Sequence, residues 1–519
     1  MNDEQNLPMG WVQAKLGDFC TIIMGQSPPS SNYNTKGEGL PFFQGKAEFT
    51  DLFPVTRKWC TGPTKIAEAN DILLSIRAPV GPTNLAPLRS SIGRGLAAIR
   101  PEGNIETLYV LYAIRAFNSR LIQLATGTTF EAVSGDEVRA FKIPLAPLSE
   151  QQRIISIIEQ QFTRIDAGIA DLKRMKKNLQ RSRVALLRDA IEGKLTEKWR
   201  KAHPDAEPAS VLLQHILDER RAKWEADIRA KGKDPKKERY VEPAVPRTKE
   251  LPDLPERWCW ATVEQLSTKI VDGTHHTPTY TKSGVPFISV KDIQSGHIYF
   301  NNCKYISQEE HDRLIQRCHP EKDDVLITKS GTIGRVAIVN THETFSLFVS
   351  VALIKTCKCF LNQEYFKLAL EYYISSINIQ QAVKGGLIKN LHLEDLRIVS
   401  LRLPPFAEQE QIVAEVEQQL TIINKYEAVA DELIRYAEWQ RQAILQRAFS
   451  GQLVKQDPND EPASVLLERI QQERKKRAKK QVVHYLYASE DGEPLKVDPD
   501  EVVQTELWPS VEKRFVAEG

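Results

Sequence analysis

Two stretches of the chain carry the same long alternation of apolar and polar positions. In the first, Ile158, Ile165, Leu172, Leu179 and Leu186 recur every seven residues, with Phe162 and Ile169 filling the row between them. In the second, Val416, Ile423, Ala430, Ala437 and Ile444 form the same row. Alternating steps of four and three keep one face of an α-helix apolar, the pattern of a coiled coil. The first helix is predicted from Pro147-Leu148-Ser149-Glu150-Gln151 to about Gly193, the second from Pro405-Phe406-Ala407-Glu408-Gln409 to about Gly451. Glu150 and Glu408 are 258 residues apart, and so are Gly193 and Gly451, so neither copy has an insertion between its landmarks. Such a helix is a rod of roughly 65 Å. Ser149 with Gln152 predicts a capping box, which Ala407 removes from the second copy. Gly193 and Gly451 suit the left-handed residue that ends a helix. Pairing between separate molecules would show the same heptads, but two copies in one chain favour an internal pair.

Each long helix follows a segment of shorter apolar runs bounded by Gly and Pro, which predict strands. The first segment, about residues 7–148, contains Leu40-Pro41-Phe42-Phe43, Asp71 to Ile76, Gly95 to Ile99, a helical pattern near 105–124, and a strand near 140–145. The second repeats the frame. Leu254-Pro255-Glu256-Arg257-Trp258 echoes Leu7-Pro8-Met9-Gly10-Trp11, Pro286-Phe287-Ile288 echoes Pro41-Phe42-Phe43, and Asp324-Val325-Leu326-Ile327 echoes Asp71-Ile72-Leu73-Leu74. Gly385 echoes Gly127, where Gly127-Thr128-Thr129-Phe130 reads as a turn with Phe130 in the core. The stretches between landmarks differ: Ala78-Pro79-Val80-Gly81 faces Gly331-Thr332-Ile333-Gly334. After each long helix comes Pro-Ala-Ser-Val-Leu-Leu, at 208–213 and 462–467. The first of these opens a charged helix to about Ala230, and a Lys/Glu/Pro-rich linker, expected to be extended and solvated, follows to about Pro252. The unit that repeats is globular domain, long helix, charged tail. This gives an α+β chain in four parts: residues 1–148, 149–253, 254–406 and 407–519. Trp11 and Trp258 are expected to anchor cores rather than stack on bases.

The 519 residues leave room for roughly two to four domains. No apolar stretch approaches a membrane span, and Met1 to Asn6 is polar rather than a leader. The seven cysteines, Cys20, Cys60, Cys259, Cys303, Cys318, Cys357 and Cys359, are odd in number and scattered, which points to reduced thiols and a cytoplasmic setting. A net charge of +2 means that any nucleic-acid surface must be local.

Motifs for catalysis are missing. There is no G-x-x-x-x-G-K-[ST] loop for ATP and no Gly-rich strand-to-helix turn for a dinucleotide or similar cofactor. A carboxylate-plus-lysine nuclease would want an acid two positions before its lysine, and Ile327 stands there before Lys329. Gly331 to Gly334 could pass for the GXXG loop of an RNA-binding KH domain, but four residues carry little and a turn between strands is the simpler reading. His275-His276, Cys303, Cys318-His319 and Cys357-Lys358-Cys359 lack the paired C-x-x-C spacing of tetrahedral zinc, so no metal is expected.

Two globular domains with a shared frame and different loops, joined by two repeated helices, resemble the specificity subunit of type I DNA restriction-modification enzymes. The resemblance covers nearly the whole chain. It rests on Ile143-Pro144-Leu145-Ala146-Pro147-Leu148-Ser149-Glu150-Gln151 and Leu403-Pro404-Pro405-Phe406-Ala407-Glu408-Gln409, with the Leu-Pro-x-x-Trp openings. It implies that each globular domain reads one half of a bipartite double-stranded DNA target and that antiparallel helices set the spacer. It implies no catalysis and no cofactor in this chain. The partners implied are two methyltransferase subunits, which use S-adenosylmethionine, and restriction subunits, which use ATP and Mg²⁺. A coiled-coil scaffold without a nucleic-acid role and a stand-alone DNA-modifying enzyme remain as alternatives. Base reading needs long polar side chains and phosphate contacts need Lys, Arg, Ser, Thr and backbone N–H groups. The candidates near predicted strand ends are Gln44, Lys46, Arg77, Arg89 and Arg94 in the first domain. In the second they are Lys291, Lys329, Ser330, Thr332 and Arg335.

Overall fold

The computed structural model describes residues 7–125, 132–294, 296–383 and 390–486. The turn expected at Gly127 to Phe130, and Gly385, lie outside them. The chain forms two compact units: residues 1–172 with 432–519, and residues 173–431. Mixed helix and sheet in both confirm the α+β class.

In the first unit the strands Cys20–Met24, Leu96–Pro101, Ile72–Ser75 and Thr83–Leu85 form an antiparallel sheet in that order. A second sheet, of five short strands in the order Tyr33–Asn34, Trp59–Cys60, Leu40–Phe43, Ser90–Ile92 and Ile66–Ala67, runs Leu40–Phe43 parallel to Ser90–Ile92, with Ile66–Ala67 antiparallel on its far side. Val12–Lys15 pairs with Lys142–Leu145, which brings the two ends of the globular segment together beneath the long helix. The predicted helix near 105–124 is broken at Phe117 into Thr107–Ala116 and Asn118–Gln123.

The second unit repeats this plan. Ser267–Asp272, Val351–Thr356, Val325–Thr328 and Val336–Ile338 form its main sheet. Val285–Ile288 runs parallel to Ser346–Leu347, and Cys259–Thr262 pairs with Ser400–Leu403. One feature is exchanged: where the first unit has Ile66–Ala67, the second has the helix Gln308–Ile315, seated on Ser346–Leu347. Its buried His311 meets Ser346 Oγ at 2.9 Å, and burial holds that imidazole below its ordinary pKa. The linker beyond Ala230 is mostly extended and exposed, as expected, but it is pinned at two points. Arg220 donates to the Tyr240 hydroxyl at 2.7 Å, and Ala244 N donates to Glu264 Oε2 at 3.0 Å.

The long helices span Leu148–Ile191 and Phe406–Phe449, 44 residues each. Gly193 and Gly451 follow with φ of +74° and +72°, as the helix-end reading expects. In the first unit, Ile154 and Ile158 of one helix share a core with Leu445, Ala448 and Phe449 of the other, and Arg441 pairs with Asp166. In the second, Lys176 meets Asp431 at 2.5 Å and Arg183 meets Asn424 Oδ1 at 2.5 Å. These partners step seven residues up one helix and seven down the other, an antiparallel heptad register within the chain.

The capping box is not formed. The helix begins at Leu148, so Ser149 already lies in its first turn and donates instead to Asp460 Oδ1 at 2.7 Å, while Gln152 reaches Glu106. The neighbouring glutamine does the work in both copies. Gln151 donates to Ala146 O and accepts from Glu106 N; Gln409 donates to Pro404 O and accepts from Asn362 N. Each side chain ties the long helix to the strand before it and to the N-terminus of the domain's own helix.

The openings and the Glu-Gln motifs also explain each other. Trp11 and Trp258 are buried, and their indole N–H groups donate to Glu150 Oε2 at 2.9 Å and Glu408 Oε2 at 2.8 Å. The residue before each tryptophan, Gly10 or Arg257, has positive φ. Its carbonyl accepts from the first residue of a tail helix, Ala463 N or Ala209 N. The second tail helix, Ala463–Leu486, thus completes the first unit as Ala209–Ala230 completes the second.

Candidate nucleic-acid interface

In the first unit four chain segments converge at one end of the strands. Gly25 N donates to Leu96 O, Gln26 N to Ile92 O, Gly93 N to Phe43 O and Ile76 N to Gly95 O, all at 2.8–3.1 Å. The approach is closer than any side chain would allow: a Cβ on Gly25 would stand 2.2 Å from Gly93 O, and one on Gly95 2.3 Å from Gln44 O. This glycine crossing brings exposed Gln44, Arg77 and Arg94 to a common rim, with Lys46 two residues past Gln44. Arg94 N donates to Ser27 Oγ at 3.2 Å, which adds the Gln26-Ser27 turn to the same rim. Arg89 is not part of it. It precedes Ser90–Ile92, at the opposite end of the strand from Arg94, and faces Glu68 at 3.5 Å.

The second unit has the same convergence with other side chains. Gly273 N donates to Val351 O, Thr274 N to Leu347 O, Phe348 N to Ile288 O and Lys329 N to Ser350 O. Lys291, exposed, takes the place of Lys46, each on a short 3-10 turn after the matching strand. Thr332 is exposed in the turn Gly331 to Gly334, which joins Val325–Thr328 to Val336–Ile338 as the simpler sequence reading expects. Ser330 is half-buried and bridges to Asn390, as Arg77 bridges to Ala132 in the first unit. Two candidates have structural tasks. Lys329 gives its ammonium to buried Asp272, and Arg335 donates through Nη1 to Ile293 O at 2.9 Å. Burial opposes ionisation of Asp272, but the Lys329 and His275 contacts together hold the carboxyl below its ordinary pKa.

Residues that the sequence reading passed over share this rim. His275 and His276, weighed there only as metal ligands, follow Ser267–Asp272 after Gly273-Thr274 and are exposed. His275 Nε2 lies 3.2 Å from Asp272 Oδ1 and His276 Nε2 3.0 Å from Glu310 Oε1. Arg313, from the helix that replaces Ile66–Ala67, reaches Glu310, and Arg317, two residues past the end of that helix, reaches Asp272. Their position three and four residues past a strand end marks the histidines in the sequence. Nothing local marks Arg317, which lies 45 residues from its carboxylate. Among the described residues no group of three or more His, Cys, Asp or Glu is arranged to hold a metal ion. Among the same residues no helix is long and apolar enough to cross a membrane.

The rims are polar and cationic, they cap a shared frame, and they differ in sequence. The family profile described as type I restriction modification DNA specificity domain matches residues 8–174 and 270–428, more than half of the chain. The chain belongs to this family. The specificity subunit of the type I restriction enzyme EcoKI from Escherichia coli is 22% identical over 499 residues, 90% of this chain and 96% of that one. A putative type I restriction enzyme specificity subunit, MjaX, from Methanocaldococcus jannaschii is 36% identical over 195 residues, 37% of this chain and 45% of that one. A solved structure described as showing complex assembly and conformational transition of the type I R-M system has the same fold: TM-score 0.57 at 19% identity, over 86% of this chain and all of the other. As a specificity subunit the chain serves recognition of a DNA target, not catalysis, and acts with other subunits of a restriction-modification complex.

Proposed function

We propose that each unit reads one half of an asymmetric, bipartite double-stranded DNA target, with the paired long helices setting the spacer between the halves. One observation carries this: the main sheet and the parallel strand pair are duplicated, with one short strand exchanged for a helix, while the rim side chains are not. Gln44, Lys46, Arg77 and Arg94 form one reading surface; Lys291, Ser330 and Thr332, with the histidine turn, form the other. A scaffold without a nucleic-acid role has no use for two differently furnished rims on one frame.

Two methyltransferase subunits dock on the chain and restriction subunits complete the complex. Along the second long helix Ile422, Tyr426, Val429, Leu433, Tyr436 and Trp439 stay exposed at steps of three and four, an apolar stripe suited to a partner's helix. S-adenosylmethionine, ATP and Mg²⁺ belong to those partners, and the complex works on cytoplasmic DNA. In this reading residues 1–148 and 254–406 are the recognition domains, and 149–253 and 407–519 the helices with their tails.

The test replaces residues 254–402 with the matching domain of a relative and maps methylated sites in a host that carries the methyltransferase subunit. The second half-site changes and the first stays. A change in both together, or methylation without sequence preference, rejects the reading.

A further inference from the structure

The second unit buries a charge at a place where the first buries none. Asp272 ends its strand next to a glycine, as Met24 does in the first unit, and pairs in register with Ala352 as Met24 pairs with Ala97. Lys329 N donates to Ser350 O and its carbonyl accepts from Leu391 N; Ile76 N donates to Gly95 O and its carbonyl accepts from Val133 N. Asp272 and Lys329 therefore occupy the positions that Met24 and Ile76 occupy, where both belong to an apolar core. The frame closes without an ion pair. Replacing a buried pair by apolar side chains is often neutral or stabilising, because both charges must be stripped of water. Stability thus gives no reason for Asp272.

Its other contacts do. Asp272 is 2% exposed and accepts from three side chains: Lys329 at Oδ2, and Arg317 and His275 at Oδ1. The lysine is 15% exposed and serves to hold the carboxylate, whereas Arg317 is 55% and His275 63% exposed. Arg317 comes from the turn that ends the helix Gln308–Ile315, the helix that stands where the first unit has Ile66–Ala67. One guanidinium nitrogen is held by Asp272, and with more than half of the side chain exposed the remaining donors are open to a ligand. A fixed guanidinium meets the paired acceptors of a guanine edge without losing further rotamer freedom on binding.

We propose that Asp272 is a positioning residue that presents Arg317 and His275 to base edges of the second half-site, with Arg317 reading a guanine. This rests on the DNA-reading role proposed above. The first unit, with Met24 and Ile76, has no such device, so the two half-sites are read by different means on the same frame.

The test exchanges the pair for that of the sister unit. The double variant Asp272→Met, Lys329→Ile is made in the full chain, together with Arg317→Ala, a change at the surface. Both are assayed with the methyltransferase subunit by competition binding against duplexes carrying single base-pair changes across the target. The double variant keeps its thermal transition and its first half-site. It loses about 10- to 100-fold discrimination at one or two base pairs of the second half-site, and Arg317→Ala loses discrimination at a G·C pair among them. Wild-type discrimination at every second-half position in Arg317→Ala overturns the proposal. So does a uniform loss across all sequences, which marks a phosphate contact or a folding defect. If the wild-type complex itself shows no base preference, the DNA-reading role fails instead.

Discussion

The two copies of the motif glutamate are built alike but held differently, and the difference has a measurable size. Glu408 is fully buried and accepts from Trp258 Nε1 at 2.8 Å, Thr196 Oγ1 at 2.7 Å and Arg200 Nε at 3.0 Å. Arg200 is itself 15% exposed and also caps the Gly193 carbonyl. Glu150, as deeply buried, accepts only neutral donors at close range: Trp11 Nε1 at 2.9 Å and Gln456 Nε2 at 3.2 Å, where Gln456 caps Gly451 O. Burial raises the Glu150 pKa above its ordinary value, against the Trp11 and Gln456 bonds that lower it. The folded state thus binds that proton more tightly than the unfolded chain. The contribution of Glu150 to stability is best below the unfolded pKa of about 4.3 and is lost as pH rises through the folded one. Glu150→Gln removes the buried charge and keeps one oxygen to accept from Trp11, at the cost of the Gln456 bond, so at neutral pH the first unit changes by no more than ~1 kcal/mol. Glu408→Gln leaves Arg200 charged and mostly buried without its carboxylate, a loss of about 3 kcal/mol. For a unit of this size that lowers the transition by about 6–12 °C. Calorimetry of both variants at pH 7.5 and near pH 4 separates the cases. Equal losses at pH 7.5, or a destabilised Glu150→Gln that recovers at low pH, would refute the reasoning.

Three further outcomes are expected. Each unit's core takes residues from both long helices, so the spacer is tested by lengthening both: one heptad after Met175 and one after Asp431. Seven residues add about 10.5 Å, or roughly three base pairs. Site mapping should show unchanged half-sites about three base pairs further apart. Affinity should fall, because the duplex turns by about 100° over that length; an unchanged spacer with full affinity rejects the ruler. Gly451→Ala places a methyl 2.1 Å from Pro8 Cγ at a φ of +72°, and a loss of ~1–3 kcal/mol confined to the first unit's transition should follow. Alkylation of the native chain should reach exposed Cys359 well before Cys357, whose thiol is buried and pushed up to about 12; equal labelling rates would show that the second core opens freely.

The long helices, the duplication and most strands are legible in the sequence because each has a local signature: a heptad, a repeated landmark, a Gly-bounded apolar run. Gly193 and Gly451 are legible for the same reason, since a left-handed residue favours glycine. What escapes is pairing at a distance. Lys176 and Arg183 break the apolar row of the first helix, and only the antiparallel register shows that Asp431 and Asn424 answer them. Ser149 carries a capping signature, but the start of the helix at Leu148 and the nearness of Asp460, 311 residues away, redirect its hydroxyl. The rim was half readable. Strand ends located Gln44, Arg77 and Lys291, while the partners of Lys329 and Arg89 depended on which strand end faced which.

The make-up of the units sets an order of events during synthesis. Residues 173–431 are contiguous, so the second unit can close as soon as its own segment has left the ribosome. The first cannot. Its core includes Leu445, Ala448, Phe449, Leu466 and Ile470, and Trp11 and Tyr109 must wait for them. At about 5–20 residues per second the roughly 260 intervening residues take on the order of 10–50 s. For that time the earliest-made domain carries an uncovered apolar seam, which makes the N-terminal domain the last to mature and the main client for a chaperone.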